Sequence, residues 1–159
     1  MPLPLGLLDE RDVSRRLRVL AALSGLLDLR VVESAGGTDA TALLQAVRVR
    51  APRIVVVGDD GRGRAERVAR CVRTDLRAEV ALVVLGSGPH ARPFRWSGER
   101  RPPDGWVADV RDPDALGAVV RAVLAGGCAW PAEGDPRDVP AASWLSRTLA
   151  RAKRARMRP

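Results

Sequence analysis

The sequence predicts an α/β protein: an open, parallel, doubly wound sheet with helices on both faces. Three observations carry this expectation. Short β-branched apolar runs alternate, about five times, with stretches whose apolar residues recur every three or four positions. One run, Ile54-Val-Val-Val57, is apolar throughout, the pattern of a strand covered on both faces at the centre of a parallel sheet. Gly- and Pro-containing turns punctuate the junctions, and no internal repeat offers a solenoid instead.

Taken in order, Leu3 to Leu8 reads as a buried first strand ending at Asp9-Glu10. Val13, Leu17, Leu20 and Leu23 then form one helical stripe, with Arg15, Arg16 and Arg18 mostly outside it. A second strand spans Leu29 to Glu33, and Gly36-Gly37 breaks it. Thr38 or Asp39 can cap a helix carrying Leu43, Leu44 and Val47, which Pro52 stops. After the central strand a helix runs from Ala65 to Thr74, with Val68, Ala69 and Val72 inward. Val80 to Leu85 is the fourth strand and Trp106-Val-Ala108 the fifth. Asp112-Pro113 opens a last body helix with Leu116, Val119, Val120, Val123 and Leu124 on its apolar face, closed by Gly126-Gly127. Residues 86–105 are rich in Gly, Pro and Arg without helical period, so the helix due there is expected to be lost or shortened. The expected organisation is a body over residues 1–127, a linker over 128–142 and a basic amphipathic tail over 143–159.

The 159 residues include 27 Lys+Arg, 19 Asp+Glu and one histidine, for a formal net charge of +8. Six of the basic residues fall in 145–159, where there is no acid; the rest of the chain holds 21 basic against 19 acidic residues, a net of only +2. The basicity therefore belongs to the tail. Two distant cysteines, Cys71 and Cys128, fit a reducing cytoplasm rather than a disulfide framework. No apolar run reaches membrane-spanning length and the first residues lack a basic leader, so neither a membrane protein nor a secreted one is expected.

Several segments together resemble the receiver domain of bacterial response regulators, in particular those attached to LuxR-type DNA-binding domains. They are Leu29-Arg-Val-Val-Glu-Ser-Ala35, Ala51-Pro-Arg-Ile-Val-Val-Val57, Asp104-Gly-Trp-Val-Ala108 with Asp112-Pro-Asp-Ala-Leu116, and Val119-Val-Arg-Ala-Val-Leu-Ala-Gly-Gly127. The resemblance covers about residues 3–127 and implies a flavodoxin-like (βα)5 fold with its site at the carboxyl ends of the strands. It also implies a four-part chemistry: an acidic pair after the first strand for Mg²⁺, a phosphoacceptor Asp after the third, a Ser/Thr after the fourth and a Lys after the fifth. Carboxylates gather the hard cation, and cation plus ammonium neutralise the incoming phosphoryl group.

Position by position, the four parts are largely missing. Asp9 and Glu10 follow the first strand, although the helix stripe fits better with Asp9 as the second acid and Leu8 as the first. Gly58 stands where the phosphoacceptor is due, and Asp59 is one residue off, which in a strand turns it to the other face. Gly86 holds the sensor position, with Ser87 one place late. Asp109 holds the lysine position, where a carboxylate would repel a phosphoryl dianion. The expectation is a pocket not switched by aspartyl phosphorylation. Asp9, Glu10, Asp59 and Asp60 are read first as solvated loop carboxylates, and second as a relic cation site or an acidic pocket for another ligand.

Other motifs are weaker. Gly58-Asp-Asp-Gly-Arg-Gly63 lacks both the P-loop and the dinucleotide pattern, and its aspartates would repel an anion, so it reads as a plain turn. His90 has no Cys or acid at ligand spacing, and one loop histidine builds no nucleophilic triad; no enzyme, metal or cofactor is expected. Cys71 reads as a small buried side chain.

Arg92, Arg95, Arg100 and Arg101 surround Phe94 and Trp96, a composition that serves a solvated insert, a protein-docking loop or a nucleic-acid grip. In the tail, Trp144, Leu145, Thr148, Leu149 and Ala152 share one side, while Arg147, Arg151, Lys153, Arg154 and Arg156 are basic. It suits a helix docked on the body or on a second copy, then a phosphate-binding segment, then an anionic membrane surface. The favoured expectation is a phosphorylation-independent receiver-like signalling or transcription-regulating protein acting through protein partners or a homodimer, with DNA reached through an associated or lost output domain. The alternative is a nucleic-acid-binding accessory protein using residues 92–101 and the tail.

Overall fold

The computed structural model describes residues 3–26, 28–33, 40–74, 76, 79–96 and 101–130. Five strands, β1 (Leu5–Asp9), β2 (Arg30–Glu33), β3 (Ile54–Gly58), β4 (Ala81–Leu85) and β5 (Gly105–Val107), form one sheet in the order β2-β1-β3-β4-β5. Every pairing is parallel. The order reverses between β1 and β3, so the crevice at their carboxyl ends is the natural ligand position of an open α/β sheet. This architecture is compatible with a flavodoxin-like fold.

Alternate residues of the central strands feed two separate cores. Leu8, Ile54, Val56, Val83, Leu85 and Val107 face α1 (Val13–Ser24) and α4 (Pro113–Leu124). Leu7, Val55, Val57, Leu82 and Val84 face α2 (Ala40–Arg50) and α3 (Arg64–Thr74). Both helices of the first pair start on an aspartate: Asp12 Oδ1 accepts from the Arg15 amide at 2.7 Å, and Asp112 Oδ1 from the amides of Asp114 and Ala115 at 3.1 Å.

The stripe expected on α1 is half right: Leu23 is buried and Leu20 packs against the core. Val13 and Leu17, however, are 57% and 60% exposed, and Val19 joins Leu23 on the buried face. Apolar spacing could not choose between these faces because arginines share the inner one. Arg15 and Arg16 lie along it with their stems covered and their tips paired to Glu10 (3.4 Å) and Glu33 (3.6 Å).

The described residues between β4 and β5 contain no helix. Aromatic rings cover that part of the sheet. Phe94 lies 4.9 Å from Trp130, centroid to centroid, Trp130 stands edge-on to Trp106 at 6.0 Å, and Phe94 and Trp96 are 6.4 Å apart.

Within the stretch expected to be a linker, Ala129 and Trp130 pack against the body. Ala129 is fully buried, bridges Gly105 in parallel, and donates its amide to the Asp104 carbonyl. Below the sheet, buried Arg73 at the end of α3 reaches Asp104 at 2.7 Å and the Val80 carbonyl at 2.7 Å. Asp104 also accepts the Leu82 amide at 2.8 Å, tying α3, β4 and the start of β5 together.

Residues 34–39, with Thr38 and Asp39, and the whole of 131–159 lie outside the described residues. So do Arg100 and the tail residues Trp144, Arg147, Arg151, Lys153, Arg154 and Arg156. No described helix is long and apolar enough to cross a membrane.

Candidate functional site

The carboxyl ends of β1, β3 and β4 bring together Asp9, Glu10, Gly58, Asp59, Gly86 and Ser87. Asp9 is the last residue of β1, and Glu10 follows it. Neither is a solvated loop carboxylate: Asp9 is 1% exposed and Glu10 4%. Burying two acids requires partners, and the chain supplies them from two helix starts. Arg64, the first residue of α3 and itself buried, donates to Asp9 Oδ2 and lies 3.5 Å from the Gly58 carbonyl. Arg15, in the first turn of α1, approaches Glu10 Oε2 at 3.4 Å. Its guanidinium also donates to the Asp59 carbonyl at 3.1 Å and to the Gly86 carbonyl. One side chain thus fastens α1 to the loops after β3 and β4.

Glu10 owes its position to the glycine opposite. A Cβ on Gly58 would fall 2.0 Å from Glu10 Oε2 and 2.5 Å from Cδ, well inside contact distance. The carboxylate of Glu10 therefore fills the volume in which a side chain at position 58 would begin. It is held there by the Asp12 amide, which donates to Oε1 at 2.9 Å. Burial pushes the Glu10 carboxyl above its usual 4.5, with the Asp12 amide and the Arg15 charge pulling the other way. Asp9 Oδ1 and Glu10 Oε2 have no hydrogen-bond donor among the described residues, although Arg15 keeps its ion pair with the latter.

The remaining positions have different uses. A Cβ at Gly86 would meet the Trp106 ring at 2.8 Å, so the glycine makes room for the indole. Ser87 is exposed beside Gly61, whose added Cβ would lie 3.5 Å from its Oγ. Asp59 Oδ1 accepts the Ala65 amide at 3.2 Å, and Asp60 Oδ1 accepts the amides of Arg62 (2.8 Å) and Arg64 (3.3 Å). The two aspartates cap α3, and Gly58–Gly63 is a turn that starts a helix.

Asp109 stands two residues beyond β5, with its charge paired locally. Its carboxylate binds Arg111 at 2.8 Å and takes the Arg111 amide, which holds it down at about 2.

Two further expectations change. Phe94 and Trp96 are partly buried against the α2–α3 core, with Arg70 lying 5.1 Å over the Trp96 ring, so these aromatics are not displayed for stacking on bases. Arg92 and Arg95 point outward, while Arg101 pairs with Asp104 at 3.7 Å and Glu79 at 3.9 Å. Cys71 is half-buried, Cys128 exposed and His90 exposed. Among the described residues no three His, Cys, Asp or Glu side chains gather closely enough to hold a metal ion.

Sequence reasoning missed Arg15 and Arg64, yet a signal existed. A cation in the first turn of a helix opposes the helix dipole. Two arginines at helix starts, one after Asp9-Glu10 and one after Asp59-Asp60, point to carboxylates within reach. Comparison of the chain with protein-family models, with curated proteins and with solved structures found no match.

Proposed function

We propose that this domain is a receiver-like signalling or regulatory module that works without phosphorylation, through protein contacts made by its folded surface. The observation that carries the reading is the occupation of the space over Gly58 by the Glu10 carboxylate. Glycine offers no phosphoacceptor, and a carboxylate in its place excludes an approaching phosphoryl group by volume and by charge. The guanidinium groups of Arg64 and Arg15 support the same reading. They neutralise Asp9 and Glu10 from within the chain, so the acidic pair needs no outside cation. The loops after β3 and β4 are then fixed in one arrangement by Arg15, and any signal enters through a bound partner that prefers or disturbs it. The resemblance to receivers attached to LuxR-type domains favours a place in bacterial transcription control.

The test is incubation of the full chain with Mg²⁺ and acetyl phosphate, followed by intact-protein mass measurement. The expected result is no phosphoryl adduct. A Mg²⁺-dependent adduct on Asp9, Glu10 or Asp59 overturns the proposal.

A further inference from the structure

Arginines from two elements come side by side on the α3 edge of the molecule. Two contacts fix the register of the loop after β4 against α3. Ser87 meets Gly61 just ahead of the helix, and Trp96 sits under Arg70 two turns along it. The loop between these points therefore runs beside the first half of α3, a length of about 9 Å from Arg64 to Arg70 at 1.5 Å per residue. Ala91, Phe94 and Trp96 anchor it inward, leaving Arg92 and Arg95 exposed along that edge.

On the helix side, Arg62 and Arg67 are exposed, and Arg67 Nη1 donates to the Arg62 carbonyl at 3.0 Å. Among the described residues no ion pair within 4 Å engages Arg62, Arg67, Arg92 or Arg95. Of the acids on this edge, Glu66 is paired with Arg70 at 2.7 Å, while Asp60 accepts the amides of Arg62 and Arg64 and is also held down by the Arg67 charge. A chain whose net charge is nearly balanced outside its tail thus concentrates positive charge on one anchored strip.

The geometry points to this strip as a binding surface for the phosphate backbone of duplex nucleic acid. Its two aromatic rings are packed inward, so it presents neither a stacking platform for single strands nor an aromatic anchor of the kind that dominates protein interfaces. What it presents is exposed guanidinium groups on an anchored backbone, which suits a dense row of phosphates and reads no sequence.

Fluorescence polarisation of the full chain with a labelled random-sequence duplex at low salt tests the assignment. The variant Arg67→Ala/Arg95→Ala is compared with Arg18→Ala/Arg121→Ala, which removes the same charge from the opposite face, and circular dichroism checks both folds. The strip variant is expected to bind roughly tenfold more weakly than the control and to lower the slope of log K against log salt by about 2. Equal losses in the two variants, an unchanged strip variant, no binding by the parent chain, or tighter binding to poly-glutamate than to the duplex would each overturn it.

Discussion

Replacing Gly58 by alanine would set a methyl group in the volume that the Glu10 carboxylate fills. The clashing atoms are the end of a side chain, so the backbone need not move, but Glu10 must leave the Asp12 amide and Arg15. Gly58→Ala is therefore expected to cost roughly 1–2 kcal/mol in urea unfolding, and less than about 0.5 kcal/mol in a Glu10→Ala background. Additive losses would mean that the two positions do not share the space. Glu10 also sets a pH dependence. Its carboxyl is raised in the folded chain, so the native state holds the proton more tightly than the unfolded one. The stability it contributes is greatest below the unfolded value of about 4.5 and drains away as pH climbs through the folded value. Unfolding midpoints of the parent should fall relative to Glu10→Gln as pH rises above about 4.5; curves that stay parallel contradict this. Asp109 works with the opposite sign. Its folded value of about 2 lies below the usual 3.8, so its contribution is present above 3.8 and lost as pH falls toward 2.

At the scale of elements, the aromatic cover beside β5 does the work of a helix. Trp130 touches both Phe94 and Trp106, and Ala129 bridges Gly105. Ending the chain after Gly127 should therefore destabilise it markedly more than ending it after Trp130. Trp130→Ala alone should cost about 2 kcal/mol in chemical denaturation, below the full burial value because the ring is partly exposed. A truncation at 127 as stable as one at 130 would restore the linker reading. The pair under the sheet is a second element-scale joint. Asp104→Asn leaves the buried Arg73 charge uncompensated, and a loss of roughly 3 kcal/mol is expected.

The strands and helices of the body were legible because each buries one apolar pattern, and Ile54–Val57 lies at the centre where its composition puts it. The face of α1 was legible only in its second half, at Leu20 and Leu23, because the inner side also carries arginine stems. The packing of Trp130 was not legible, since a Pro-rich stretch reads as a linker until the missing helix leaves rings to cover.

Over the described residues as a whole, the buried charges are paired across the chain, Arg64 with Asp9 and Arg73 with Asp104. The sequence predicts Asp9, Glu10 and Gly58 at the strand ends, and the structure brings Glu10 against Gly58. What the sequence could not show is that Arg64, 55 residues from Asp9, and Arg15 would fold back to satisfy the acids, because such contacts depend on the strand order. The account rests on that closed arrangement at the strand ends. It is tested most directly by two-dimensional amide NMR spectra of the full chain before and after adding Mg²⁺ with acetyl phosphate. The predicted result is unchanged resonances for Asp9, Glu10, Gly58, Asp59, Gly86 and Asp109. Saturable, Mg²⁺-dependent shifts concentrated on those residues would contradict it.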